Sequence, residues 1–469
     1  MKYLLFGTGD YYERYKKWFS CDEVVALLDN SELKQGTYID GIQVLSPAQG
    51  IMLDYDAIII LSFYVKAMKQ QLLELGVEKD KIYHFYDLHS LLNEKGEIIK
   101  RPVKYYGEAK AIVNRLQVHS KKILLLSQEL TLGGPSIALF HAAMILKKQG
   151  YEVVYASMID GVLRDKLLEN GIPVVVDDNM QVATMKEIEW VSSFSLIICN
   201  TLNFHVFLSE REGNIPIIWW LHDARFFYDG VNRDGIKRIQ PHNLKMVSVG
   251  PIPRSAIEEF LPDMPCEELL YGVAEAGNLQ ECKLDDGITR FITIGFLEDI
   301  KGQDLLVQAI ALLPEAIRNC TEFYLVGHNK TLFGEKVRKE SAKFQEIEFL
   351  GSVERNKIHE LLELSDVLIC PSRQDSMPTV AAEAMLHSVP CIVSDVTGTA
   401  SYIHDGEDGF IFESENVQQL AEQIEWCVKN RKELGHMGQE ARKIYEKVFS
   451  VEAFEKRLLE IVDEMLEEM

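Results

Sequence analysis

Two carboxylates stand around the start of one predicted helix, and their spacing suits a nucleotide. Asp375 lies in a polar loop after an apolar strand, and Glu383 lies about one turn inside a helix predicted to open at Pro378. The free N–H groups of Thr379 and Val380 would carry partial positive charge and suit a diphosphate. Glu383, about 6 Å further along the axis, would then reach the ribose. The same residues also fit an ordinary loop and helix with a capping acid.

Two glycine turns after predicted strands offer further contacts for phosphate. Gly133 and Gly134 follow the strand at 123–126, and glycines allow a backbone to approach a ligand closely. Gly295 ends the strand at 290–294, and Lys301 follows in the next loop. An ammonium there would neutralise negative charge on a bound ligand. A tight turn without a ligand explains an isolated glycine pair equally well.

A histidine and an aspartate follow the apolar strand that begins at Ile217. His222 could contact a substrate, and Asp223 could orient the imidazole or cap the next helix. The alternative is a partly buried histidine beside a capping aspartate.

Composition narrows the class of protein. The 469 residues give room for about three domains, and the net charge of −23 disfavours nucleic-acid binding. No apolar run approaches the ~20 residues of a transmembrane helix, so none is predicted. A basic cluster over 100–122 would allow peripheral membrane contact, although a solvated linker is the favoured interpretation.

Neither a disulfide framework nor a metal site is predicted. The eight cysteines are scattered without a C-x-x-C pair, which is typical of buried thiols in a reducing cytoplasm. Asp54-Tyr55-Asp56 has the form of a metal-binding D-x-D, but it directly precedes an apolar strand and is interpreted as a polar strand entry.

Apolar strands alternate with amphipathic helices throughout, which predicts parallel sheets covered by helices on both faces. Three segments each begin with a strand and a glycine turn. We therefore predict an α/β protein with a Rossmann-like accessory domain at 1–95, a linker at 96–120, two larger Rossmann-like domains at 121–280 and 281–448, and a final amphipathic helix at 449–469.

The run from Pro371 to Met385 resembles the signature of the retaining glycosyltransferases of family 4, which have the GT-B fold. The resemblance implies that the domains at 121–280 and 281–448 face a cleft and that the final helix crosses back to the first of them. That signature is two acids separated by seven residues, with Pro-Ser before and Glu-Ala-Met after, and the other turns follow in family order over roughly 119–445. The resemblance implies a catalytic set in which His222 and Asp375 contact the donor sugar, Lys301 the diphosphate and Glu383 the ribose. It further implies donor-binding positions at Gly133, Gly134, Gly295, Gly351, Met377, Thr379, Val380 and Glu383.

Two positions depart from the family pattern. Asp375 stands where glutamate is usual, and Phe296 fills a place usually held by arginine. The second cation for the phosphate is then missing, unless Arg254, Arg290 or Arg373 substitutes for it.

The first 92 residues lie outside this resemblance. Gly7-x-Gly9 after a strand, with Asp29 ending the next strand, resembles half of a dinucleotide fingerprint. Tyr12 occupies the third glycine position, which favours a structural or partner-binding module over a nucleotide site. The segment is similar to small Rossmann-like domains attached to sugar-modifying enzymes of bacterial surface-polysaccharide pathways.

These observations predict a retaining, metal-independent glycosyltransferase that needs no cofactor besides its nucleotide-sugar donor, with a UDP-sugar favoured. The acceptor would be a hydroxyl of a glycan, lipid-linked or protein substrate in surface polysaccharide or glycoconjugate synthesis. We expect a cytoplasmic protein, free or at the inner face of the membrane, with homo- or hetero-oligomers left open. The alternative is a catalytically weak or inactive GT-B partner subunit that assembles with or activates another glycosyltransferase, as Phe296 and Asp375 suggest. An NAD-dependent enzyme using Gly7-x-Gly9 is the least favoured hypothesis.

Overall fold

Three β-sheets, each packed between helices, make up the chain, which confirms the predicted α/β class. The computed structural model describes residues 1–20, 22–93, 100–115, 121–231, 233–275 and 286–467. The predicted boundaries at 95/96, 120/121 and 280/281 fall at residues outside these ranges and stay predictions.

The first domain contains a six-stranded sheet in the order β3-β4-β2-β1-β5-β6, parallel except for the β3–β4 pair. The central strands are fully buried, as expected for apolar strands covered on both faces. Its strands are β1 (Tyr3–Phe6), β2 (Val24–Leu28), β3 (Tyr38–Ile39), β4 (Ile42–Leu45), β5 (Ala57–Ile60) and β6 (Ile82–His84). Its helices are α1 (Asp10–Tyr15), α2 (Pro47–Gly50), α3 (Val65–Glu74) and α4 (Leu88–Asn93).

The second domain contains an eight-stranded sheet in the order β14-β13-β12-β11-β8-β9-β10-β7. Its strands are β7 (Lys104–Tyr106), β8 (Lys122–Glu129), β9 (Glu152–Ile159), β10 (Val174–Val176), β11 (Leu196–Asn200), β12 (Ile217–Leu221), β13 (Leu244–Ser248) and β14 (Cys266–Glu268). Its helices are α5 (Ala109–Val113), α6 (Gly134–Lys148), α7 (Leu163–Glu169), α8 (His205–Leu208), α9 (Arg233–Lys237) and α10 (Pro251–Glu258). Strand β7 pairs antiparallel with β10, so part of the segment predicted as a linker forms the edge of this sheet.

The third domain contains a six-stranded parallel sheet in the order β17-β16-β15-β18-β19-β20. Its strands are β15 (Thr289–Ile294), β16 (Thr321–Val326), β17 (Ile347–Gly351), β18 (Val367–Cys370), β19 (Cys391–Ser394) and β20 (Gly409–Phe412). Its helices are α11 (Gln303–Leu312), α12 (Glu315–Arg318), α13 (Leu332–Ser341), α14 (Arg355–Leu364), α15 (Thr379–Leu386), α16 (Val417–Lys429) and α17 (Leu434–Ile444).

The last helix, α18 (Val451–Glu467), follows the helices of the third domain in the chain but packs against the second domain. The ring of Phe454 stacks on Trp220 of β12 at 5.5 Å, and Glu455 lies 3.3 Å from Lys148 at the end of α6. The helix therefore ties the end of the chain to the second domain.

The first domain also packs against the second. Arg14 forms an ion pair with Glu129 at 2.7 Å, and the Trp18 indole donates a hydrogen bond to Gln181 at 3.0 Å. Across the described ranges, no helix is both long and apolar enough to span a bilayer.

Candidate functional site

A cavity of about 530 Å³ lies between the second and third domains. Its walls come from loops beyond the carboxyl ends of β8, β12, β15 and β18, where parallel α/β sheets bind ligands. Eight of the residues predicted from the sequence line it: Gly134, His222, Gly295, Lys301, Asp375, Met377, Thr379 and Val380. The other three, Gly133, Gly351 and Glu383, are not part of its lining.

Lys301 and Asp375 form an ion pair inside this cavity, with Lys301 Nζ 2.6 Å from Asp375 Oδ2. They come from loops after β15 and β18, which are neighbouring strands. Burial alone would lower the pKa of Lys301, but the Asp375 carboxylate outweighs it and raises that pKa above its ordinary value. An ammonium has three donors, so Lys301 can hold Asp375 and still donate to a phosphate.

The amino end of α15 faces the same cavity. The helix begins at Thr379 with Pro378 as its N-cap, one residue later than predicted, because Pro378 keeps an extended ψ of 114°. Thr379 and Val380 line the cavity, and no side chain caps this end. Tyr271 of the second domain donates a hydrogen bond to the Met377 carbonyl at 2.5 Å, so the helix end is held in register with that domain.

His222 is buried at the end of β12, beside the Trp220 ring. Burial lowers the pKa of His222 to about 3, so the imidazole is neutral throughout the physiological pH range. Its Nε2 atom is buried and has no hydrogen-bond partner among the residues that the structure describes. A neutral ring nitrogen of this kind can donate to or accept from a sugar hydroxyl, according to its tautomer.

Asp223 does something other than either role considered from the sequence. Its Oδ2 atom accepts a hydrogen bond from the Leu202 backbone N–H at 2.6 Å and so holds the turn after β11. Burial raises the pKa of Asp223 to about 6, although hydrogen bonds from backbone N–H groups lower that pKa in part.

We expect Asp223→Asn to flatten the pH dependence of stability between pH 4 and 6. The folded chain holds the Asp223 proton more tightly than the unfolded chain, where the pKa is the ordinary 3.8. As the pH rises from 4 to 6, ionisation of Asp223 therefore lowers the free energy of unfolding of the natural protein by ~3 kcal/mol. The stability stays reduced by this amount at higher pH. The asparagine oxygen can still accept from Leu202.

Urea unfolding of both proteins at pH 4.5 and pH 7.5 measures this effect. The stability of the variant relative to the natural protein should rise between the two pH values. An equal difference at both would show that Asp223 has an ordinary pKa in the folded chain.

Glu383 lies on α15 but is not part of the cavity lining. One Oε1 atom is 2.8 Å from the Arg355 guanidinium on α14, and the residue is 6% exposed. Burial raises the pKa of Glu383, and Arg355 partly offsets this effect. The Arg355 side chain is 57% exposed, so a ligand can approach Glu383 from the Arg355 side once that side chain turns into solvent.

None of the three arginines considered from the sequence as a second cation is part of the cavity lining. Phe296 is 60% exposed and lines the cavity where arginine is usual. Each arginine lies outside the cavity lining and is paired with a carboxylate of its own domain: Arg373 with Asp304 at 2.8 Å, Arg254 with Glu268 at 2.5 Å and Arg290 with Asp286 at 2.5 Å. Lys301 is thus the one positively charged side chain among the described lining residues.

Sequence reasoning missed three aromatic residues of the cavity, Phe226, Phe227 and Tyr271. The available signal was the nearness of Phe226 and Phe227 to His222 in the same loop. Tyr271 follows a short edge strand, and nothing in its local sequence marks it.

Asp54 and Asp56 form contacts typical of a strand entry. Asp54 pairs with the Lys2 ammonium at 2.5 Å, and Asp56 accepts the Lys2 backbone N–H at 2.8 Å. Within the part of the chain that the structure describes, no group of three or more metal-ligating side chains is present.

Comparisons with known families divide the chain in the same way. Residues 279–444 match the family described as glycosyl transferases group 1, and residues 119–244 match glycosyl-transferase family 4. Residues 1–83 match the family described as C2185-like, N-terminal.

Individual relatives agree with these families. Spore coat protein SA of Bacillus subtilis is 23% identical over 352 residues, which cover 69% of this chain and 92% of that protein. Lipopolysaccharide glucosyltransferase WaaG of Escherichia coli is 31% identical over 111 residues, which cover 24% of this chain and 29% of that protein. The crystal structure of Anabaena Alr3699/HepE in complex with UDP and glucose superposes with a TM-score of 0.60 at 18% identity, covering 74% of this chain and 100% of that one, which shows a shared fold.

Proposed function

We infer that the chain is a retaining family 4 glycosyltransferase of GT-B fold with an additional N-terminal C2185-like domain, and that it transfers a sugar from a nucleotide-sugar donor. From this premise we propose that the donor is a UDP-sugar and that the acceptor is a hydroxyl of a glycan used in surface polysaccharide or glycoconjugate synthesis. The reaction takes place in the cytoplasm or at the inner face of the membrane.

The observation that carries the proposal is the convergence of Lys301 and the uncapped end of α15 in one interdomain cavity. Thr379, Val380 and Lys301 line the same cavity, and two backbone N–H groups with an ammonium suit a diphosphate. Negative charge grows on that diphosphate as the bond to the sugar breaks, so these donors stabilise the transition state more than the bound donor.

The remaining residues divide the donor between them. Asp375 stays ion-paired to Lys301 and accepts hydrogen bonds from sugar hydroxyls, while neutral His222 contacts the sugar from the opposite domain. Glu383 accepts hydrogen bonds from the ribose hydroxyls once the Arg355 side chain has turned into solvent. Transfer on the front face then retains the anomeric configuration, and the departing diphosphate deprotonates the acceptor hydroxyl. This reaction needs neither a metal ion nor another cofactor.

The proposal is tested by thermal unfolding of the full chain with UDP, GDP, ADP, uridine and UDP-linked sugars. A ligand that binds the folded state stabilises it by about 2.7 kcal/mol at a hundredfold excess over Kd. We expect UDP to raise the unfolding midpoint more than GDP or ADP. In the Lys301→Ala variant, the shift with UDP should shrink while the smaller shift with uridine persists.

Two other outcomes are informative. A larger shift with GDP or ADP would reject the uridine donor. No shift with any nucleotide would reject donor binding and favour the alternative of an inactive partner subunit. That alternative is motivated by Phe296, which stands where the family usually has an arginine.

A further inference from the structure

The first domain has its own crevice, about 360 Å³ in volume, at the carboxyl ends of β1, β2 and β5. The chain leaves β1 for β2 on one side and later returns to β5 on the other, so β1 marks the point where the strand order reverses. Open α/β sheets bind ligands at this point. The volume falls within the range of about 300–1,000 Å³ that small-molecule sites occupy.

The charges of this crevice do not suit a phosphate. Its charged lining residues are Asp10, Arg14 and Asp29. Arg14 is paired with Glu129 at 2.7 Å, and Asp29 is paired with Lys34, which lies outside the lining, at 3.3 Å. Helix α1 is six residues long with two acids in its first turn, so its amino end repels an anion. A carboxylate such as Asp10 instead accepts hydrogen bonds from the hydroxyl groups of an uncharged ligand.

A row of four aromatic rings joins this crevice to the interdomain cavity. Ring centroids lie 4.4 Å apart from Tyr11 to Phe63, 4.8 Å from Phe63 to Phe227 and 4.1 Å from Phe227 to Phe226. Tyr11 and Phe63 line the crevice, whereas Phe226 and Phe227 line the cavity that holds Lys301. Aromatic rings offer apolar faces on which the C–H faces of sugar rings can pack.

The row is accessible at Phe63 and buried at Tyr11, its first-domain end. Phe63 is 41% exposed, although it is a large apolar side chain. Tyr11 is 6% exposed, and its buried hydroxyl has no hydrogen-bond partner among the described residues. Tyr11 therefore packs behind Phe63, and Phe63 supplies the exposed aromatic surface of the crevice.

From these placements we infer that the first-domain crevice binds distal sugar rings of a neutral glycan acceptor, along the row Tyr11–Phe63–Phe227–Phe226. The acceptor then bridges both sites: its distal rings lie in the crevice, and its reacting hydroxyl lies in the interdomain cavity. The assignment of the crevice to an acceptor site rests on the proposed transferase function, whereas the expectation that the crevice binds a glycan is independent of that function.

Saturation-transfer NMR on the full chain tests this inference with a panel of neutral oligosaccharides of two to six glucose, galactose or N-acetylglucosamine residues. Saturating UDP is present throughout, so that donor-site occupancy is constant. We expect saturation transfer to at least one oligosaccharide, stronger for longer members of its series. Phe63→Ala should weaken that binding about tenfold, and Asp10→Asn, at an exposed position, provides a second crevice variant with the same expected direction.

Tyr38→Ala is the matched control, since Tyr38 is a 67% exposed aromatic residue of the same domain outside the crevice lining. It should leave oligosaccharide binding unchanged. No saturation transfer to any member of the panel, or equal binding by the natural protein and both crevice variants, would overturn the inference. Neither result would change the rise in unfolding midpoint with UDP that tests the proposed function. If UDP gave no such rise but glycan binding still depended on Phe63, the transferase proposal alone would be rejected.

Discussion

Lys301→Ala should keep its fold and lose about two to three orders of magnitude in turnover of the donor. Lys301 is the one positively charged side chain among the described cavity residues, and the arginines that might have shared its task are paired elsewhere. Removing it leaves the growing charge of the diphosphate to the backbone N–H groups of α15 alone. The loss should appear mainly in kcat, because the charge is greatest in the transition state.

Lys336→Ala is the control for this prediction, because Lys336 is an exposed lysine on α13 of the same domain. It should turn over donor at the natural rate. Circular dichroism and the midpoint of thermal unfolding report whether Lys301→Ala is folded. Natural turnover by a folded Lys301→Ala protein would remove Lys301 from the catalytic set.

The fold was predictable because its signals are local. Each buried parallel strand is a short apolar run, and each domain opens with a strand and a glycine turn that any reader of the sequence can find. Strand order and the antiparallel addition of β7 were not predictable, since the contacts between β7 and β10 join residues far apart in the chain.

The site was predictable where chemistry is concentrated in one loop and not where it depends on distant partners. Asp375 and the end of α15 lie within one run, so their proximity follows from the sequence. The Arg355 contact with Glu383, the position of Asp223 on the Leu202 N–H and the aromatic row each depend on tertiary packing between separate elements. The pairing of Arg373 with Asp304 likewise joins two separate elements.

Glu383→Ala should reduce kcat/KM for the donor by about 10²- to 10³-fold, with a rise in donor KM as the main component. A carboxylate that accepts both ribose hydroxyls forms two hydrogen bonds to a charged group, each contributing about 1.5–3 kcal/mol. Glu360→Ala is the control, because Glu360 is an exposed acid on the neighbouring helix α14. It should behave like the natural protein.

The ribose contact itself can be isolated by comparing UDP with 2′,3′-dideoxy-UDP. The natural protein should prefer UDP strongly, and Glu383→Ala should show little preference; an undiminished preference would place the ribose elsewhere. The pH dependence gives an independent measure. Donor affinity should fall as pH drops through the raised pKa of Glu383, because the protonated acid accepts less well. Since Arg355 holds that pKa down, Arg355→Gln should move the fall in affinity to higher pH, whereas a purely structural Arg355 would leave it in place.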